Sequence, residues 1–238
     1  MSTKQTDCCT FNISMPSKRN QQRAVAVVLS VLLIFLPLSA PVYAQGISTG
    51  DGTWVWQNPL PLGTNLTGLW GVDANNVWAV GSEGTILKWN GSMWSGQNSG
   101  TREYLEAVWG ADANNVWAVG DAGTILKWDG SAWSAQSSGT GGRLYAVWGV
   151  DANTVWAVGE NTILKWNGSV WSAQNSGIAY RRFYAVWGVD ANNVSAMGTE
   201  GTILKWDGSV WSAQSSGTRS HLNGVWGADA NNVWAVVG

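Results

Sequence analysis

From Trp70 onward the chain repeats itself, and the repeat constrains the fold more than any other feature. The Gly that closes each V-W-G or L-W-G triplet falls at Gly71, Gly110, Gly149, Gly188 and Gly227, a constant step of 39 residues. Self-similarity at a period of 20 to 50 residues marks a repeat architecture. One unit, LEAVWGADANNVWAVGDAGTILKWDGSAWSAQSS (105–138), holds four short apolar runs divided by turn signals. Runs rich in Val, Ile, Thr and Trp between Gly, Asn and Asp clusters are strand signals. Four strands in a unit of about 40 residues is the pattern of a β-propeller blade. The fold expected is therefore all-β, a five-bladed propeller of 39-residue four-stranded blades.

The first 44 residues stand outside this pattern. Lys18, Arg19 and Arg23 precede an apolar run, AVAVVLSVLLIFLPL (24–38), followed by SAPVYA with small residues at Val42 and Ala44. A basic start, an apolar core and an A-x-A-like end describe a secretory signal peptide, cut after Ala44. The expected destination is secreted, periplasmic or cell-surface, with no membrane attachment after cleavage. A retained anchor is the alternative, although the run is short for a helix that must cross about 30 Å of hydrocarbon.

Residues 45–238 are then the propeller, with units at about 66–104, 105–143, 144–182 and 183–221. A last blade is shared between 46–58 and 222–238. Trp54-Val55-Trp56-Gln57 matches the fourth strand of a unit, as in Trp133 to Gln136, while 222–238 supplies only strands one and two. Pairing of the two ends in one sheet would close the ring and remove its edges. The competing reading is a piece of a longer array.

Both cysteines, Cys8 and Cys9, lie in the leader, so the exported body depends on its core rather than on disulfides. That core is tryptophan, with one on each strand of the second unit: Trp109, Trp117, Trp128 and Trp133. Each buried ring removes about 150 to 250 Å² from water. Fixed strand positions point to packing between blades rather than to sugar-stacking platforms in loops. Ser195 breaks the series where Trp78, Trp117, Trp156 and Trp234 stand, and Met197 replaces a Val. Blade four is thereby either weaker or opened by a pocket. Lys88, Lys127, Lys165 and Lys205 of the TILKW strands read as snorkelling side chains.

DANN or DANT loops join strands one and two, where Asp and Asn accept local backbone bonds. One carboxylate per loop gives calcium thin support. The turns Asn90-Gly91, Asp129-Gly130, Asn167-Gly168 and Asp207-Gly208 join strands three and four as tight hairpins. This W-[DN]-G-S-x-W hairpin resembles a degenerate Asp-box of the bacterial BNR/Asp-box repeat propellers. The opening WVWQNPLPLG (54–63) is similar to the corresponding segment of propellers related to the photosystem II assembly-factor family. The resemblance covers essentially all of 46–238. It implies the propeller fold, and it implies that Asp129 and Asp207, with Asn90 and Asn167, staple their turns without touching a ligand. Such propellers host lectins, glycosidases and assembly scaffolds alike.

After residue 44, nine Lys or Arg face fourteen Asp or Glu, a formal net of −5, which disfavours nucleic acid. A single histidine, no cysteine in the body and no matched carboxylate pair leave little footing for catalysis. The expectation is a non-enzymatic, monomeric module without cofactor or metal.

Function belongs where the units differ. The links from strand four to the next strand one are TREYLE (101–106), TGGRLY (140–145), IAYRRFY (178–184) and TRSHLN (218–223). They share one face with the links between strands two and three, which carry Glu83, Asp121, Glu160 and Glu200. The candidate binding residues are Arg102, Tyr104, Arg143, Tyr145, Tyr180, Arg181, Arg182, Tyr184, Arg219 and His221. Arg and Tyr are enriched at binding hot spots. The plainer reading is a solvated rim whose Arg and Glu pair with each other at little gain. A composite site that differs from blade to blade suits a protein-binding or assembly scaffold. A lectin would use one similar site per blade, and a glycoside hydrolase is the remotest reading.

Overall fold

The computed structural model describes residues 64–237. The leader, its cleavage site and the Trp54 segment all fall outside the described residues.

The four apolar runs of each unit become four antiparallel strands in meander order. The first sheet is β1 (Leu66–Asp73), β2 (Asn76–Gly81), β3 (Ile86–Trp89) and β4 (Trp94–Gln97). The second is β5 (Leu105–Asp112), β6 (Asn115–Gly120), β7 (Ile125–Trp128) and β8 (Trp133–Gln136). β9 (Leu144–Asp151), β10 (Thr154–Gly159), β11 (Thr162–Trp166) and β12 (Trp171–Ala173) form the third. β13 (Phe183–Asp190), β14 (Asn193–Gly198), β15 (Ile203–Trp206) and β16 (Trp211–Gln214) form the fourth. A fifth sheet holds β17 (Leu222–Asp229) and β18 (Asn232–Val237), two strands among the described residues. Register places tryptophan opposite tryptophan between strands one and two and between strands three and four: Trp109 faces Trp117, and Trp128 faces Trp133.

Successive sheets pack face to face, so strand two of each of the first four sheets is largely buried. Trp78, Trp117 and Trp156 are fully buried, as are Val80, Val119 and Val158. Each apolar cluster joins one blade to the next; Trp78 and Val80 pack with Leu105, Val108, Val116 and Leu126. The inner strands are joined by a side-chain lock that explains the invariant W-G pair. A methyl group on Gly110 would meet the Trp70 ring at 2.6 Å, and one on Gly149 would meet Trp109 at 2.6 Å. Trp148 sits on Gly188 in the same way, and Trp187 on Gly227. Glycine is required because the ring occupies the space a side chain would take.

The lysines do more than snorkel. The Lys88 ammonium lies 4.9 Å from the Trp78 ring of its own blade and 4.9 Å from Trp128 of the next. Lys127 bridges Trp117 and Trp166 at 5.1 and 5.4 Å, and Lys165 bridges Trp156 and Trp206 at 5.0 and 5.1 Å. A cation between two indoles is held by both ring faces, which adds an electrostatic bond to each of these junctions.

Two features depart from the repeat. Ser195 lies opposite Trp187 and Lys205, so the indole pair present at Trp70–Trp78, Trp109–Trp117 and Trp148–Trp156 is missing from blade four. The Trp–Gly series also stops at β17. Trp226 is 61% exposed, and a methyl on Gly71 would meet only Val77 and Asn76 of its own blade. Among the described residues the five sheets thus follow one another without β17 reaching β1. The pairing of chain ends rests on the Trp54 segment, outside those residues.

The hairpins at the opposite end from the links are fixed locally. The Asp129 carboxylate accepts from the backbone N–H groups of Ser131 and Ala132 and from the Ser131 hydroxyl. Asn90 accepts the same three bonds in blade one. Trp128 donates its indole N–H to the Ala113 carbonyl of the neighbouring hairpin. All seven aspartates of these hairpins, Asp73, Asp112, Asp129, Asp151, Asp190, Asp207 and Asp229, gather at this end, where the sequence places no Lys or Arg.

Candidate binding face

The links between strands are bolted to one another before any side chain is considered. The backbone N–H of Asp121 donates to the Tyr104 carbonyl, that of Glu160 to Arg143, and that of Thr199 to Arg182. Within the two-to-three links, Glu83, Ala122 and Glu200 take φ of 55, 51 and 54°, in the left-handed region. Repetition of this conformation in three blades ties the strained turn to the frame. The Ser99, Ser138, Ser176 and Ser216 hydroxyls each donate to the carbonyl two residues on, fixing the four-to-one links.

On this frame the side chains form a continuous row. Arg143 pairs with Asp121 through its Nε and, at 2.8 Å, through Nη2; its Nη1 lies 3.3 Å from Glu106 on β5. The same guanidinium lies 5.8 Å from the ring centres of both Tyr104 and Tyr145. Tyr145 donates its hydroxyl to Glu160 at 3.1 Å and meets Tyr184 edge-on at 5.2 Å. Tyr184 in turn meets His221 at 6.0 Å, and the His221 Nδ1 accepts from the Glu200 backbone N–H. Arg182 reaches Glu160 at 3.4 Å, and Arg181 reaches Glu200 at 3.0 Å.

Burial sets the electrostatics. Desolvation raises the Glu106 carboxyl above its ordinary range, although Arg143 pulls the other way. The Tyr145 hydroxyl is raised first by burial and then by its bond to Glu160. Arg143 is held firmly protonated, chiefly by its bond to Asp121.

Of the ten residues named from sequence, the structure brings together Tyr104, Arg143, Tyr145, Arg182, Tyr184 and His221, with Arg181 beside them. Tyr180 does not join them. It is 88% exposed at φ 58°. Arg102 and Arg219 are exposed and make no ion pair among the described residues. The central arginines are paired with carboxylates, and Arg143 also lies between the Tyr104 and Tyr145 rings. Glu106, which was not among the ten, joins the group through Arg143. A constant offset of 22 residues, Asp121 to Arg143 and Glu160 to Arg182, was the available signal for the pairs.

Elsewhere the surface offers open grooves. One of about 540 Å³ in blade two is lined by Gln136 to Gly141 and the Gly123 turn, with no aromatic or charged side chain. Its counterpart in blade four, about 420 Å³, runs along Gln214 to Arg219. Among the described residues no group of three or more His, Cys, Asp or Glu could hold a metal ion.

No family model and no curated protein sequence matches the chain. Solved β-propellers resemble it in structure. YCF48 bound to D1 peptide superposes with TM-score 0.58 at 17% identity, covering 75% of this chain and 62% of its own. YCF48 from Cyanidioschyzon merolae gives 0.58 at 18% identity, covering 75% and 66%. The WD40 β-propeller domain of Doa1 gives 0.63 at 16% identity, covering 73% and 62%. The chain spans less than two thirds of each of these structures. At such identities the likeness establishes the propeller fold and nothing finer.

Proposed function

We infer that this chain is a non-enzymatic, exported protein-binding scaffold that recognises its partner through the link face. One observation carries the reading: Tyr104, Arg143, Tyr145, Tyr184 and His221 come from four different blades and form one row on a backbone-bonded frame. Loops on a rigid scaffold carry recognition, and flat aromatic and guanidinium surfaces supply contact area at low entropic cost. That YCF48, a propeller of similar fold, is seen with a bound peptide supports a polypeptide as the partner. The lectin alternative is less well served. The groove in blade two that would be one of its sites lacks a stacking ring, and the strand-two tryptophans Trp78, Trp117 and Trp156 lie in the core.

The test is a peptide library panned against the full chain and against Arg181→Ala/Arg182→Ala. Both arginines form partly exposed pairs worth little to stability. Peptide enrichment should fall in the variant while its thermal midpoint stays unchanged. Equal enrichment by both proteins would remove the link face from consideration.

A further inference from the structure

The link face is not uniform in charge. At its first end, across blades one and two, the described residues place four carboxylates, Glu83, Glu103, Glu106 and Asp121, beside two arginines, Arg102 and Arg143. At its far end the described residues place Arg181, Arg182 and Arg219, with His221, beside two carboxylates, Glu160 and Glu200. Subtracting the pairs leaves a deficit of two positive charges at one end and an excess of one at the other. The surplus groups are available. Glu83, Glu103 and Arg219 are exposed and make no ion pair among the described residues.

Between the ends runs the aromatic row, whose neighbouring centres are 5.2 and 6.0 Å apart. In an extended chain, side chains on the same side recur about every 6.6 Å. A strand-like segment can therefore set alternate side chains against successive rings.

We propose that the face takes an extended polypeptide segment in a single orientation, its cationic end over Glu83 and Glu103 and its anionic end over Arg219. The proposal rests on the link-face reading and adds direction and charge order to it. The aromatic row supplies contact without choosing a direction, since a tyrosine face accepts either sense of the chain. Direction comes from the ends, where reversal would set like charges against each other.

Two blocked peptides test it on the full chain: Lys-Lys-Val-Thr-Val-Thr-Glu-Glu and the same composition with the Lys and Glu ends exchanged. Each carries a nitroxide at its lysine end, and amide broadening is read by NMR. Both labels should broaden the Gly84 and Glu103 amides and spare that of Ser220. Replacing Glu83 and Glu103 with Lys should abolish this preference and weaken both peptides several-fold, without a change in thermal midpoint. Broadening at Ser220, or equally at both ends, would overturn the proposed order while leaving the link face as the site. Absence of binding, or broadening confined to another surface, would overturn both the order and the scaffold reading.

Discussion

Asp129 is fully exposed, yet its carboxyl is pulled down to about 2 by the Ala132 N–H, then by the Ser131 hydroxyl and N–H. Asp207 is lowered by the same set of partners in blade four. A carboxylate lowered in the folded state contributes stability above its unfolded value near 3.9, and loses it as pH falls through the folded value. The thermal midpoint should therefore drop between about pH 4 and pH 2. In Asp129→Asn/Asp207→Asn that part of the drop should shrink, because Asn90 already accepts the same three bonds without titrating. Midpoints of both proteins across this range check it; parallel curves would discount the staples. Ala122 presents the opposite case, a side chain held at φ 51°. Ala122→Gly should raise unfolding free energy by roughly 0.5 to 1 kcal/mol, measured by urea denaturation. The D-G and N-G hairpins were legible because two residues and their neighbours determine them. The left-handed turn at Ala122 was not, since no local preference of alanine asks for it and the frame imposes it.

Blades repeat as elements, and their differences show which contacts matter. Blade four lacks the strand-two indole, and its Lys205 has no ring over it among the described residues. Restoring the consensus with Ser195→Trp/Met197→Val should return both the stacked pair with Trp187 and a cation–π contact to Lys205. The expected gain is about 1 to 2 kcal/mol, visible as a higher thermal midpoint. A loss would mean that blade four has closed over the gap. The absence of this tryptophan was plain from the 39-residue alignment. The two-sided grip on each lysine was not, because its second ring comes from another blade. Lys88 and Trp128, for example, are 40 residues apart, and nothing in TILKW alone distinguishes a clamped ammonium from a solvated one.

For the whole molecule, blade number and strand order were readable from period and turn signals, whereas closure was not. Each Trp–Gly lock is a nearest-neighbour contact, so the junctions add along the chain as in other repeat proteins. Gly149→Ala sets a methyl against both the Trp109 ring and the Thr154 carbonyl, and should cost about 1 to 3 kcal/mol. Gly71→Ala meets only atoms of its own blade and should cost clearly less. Equal losses in the two variants, measured by chemical denaturation, would instead mean that Trp226 seats on Gly71 and the ring is complete. The candidate site sat between these extremes of legibility. Its arginines and tyrosines stood out as variable links, but their order in space depended on the inner strands that set Tyr145 beside Tyr184. The seven aspartates at the hairpin end have a consequence of their own. Two molecules approaching hairpin-first repel one another within the screening distance of about 8 Å at physiological salt. That pole therefore resists stacking and clumping, leaving encounters to the mixed-charge pole where both signs are on offer. Because local bonds lower several of these carboxyls, the repulsion outlasts acidity that would discharge ordinary aspartates.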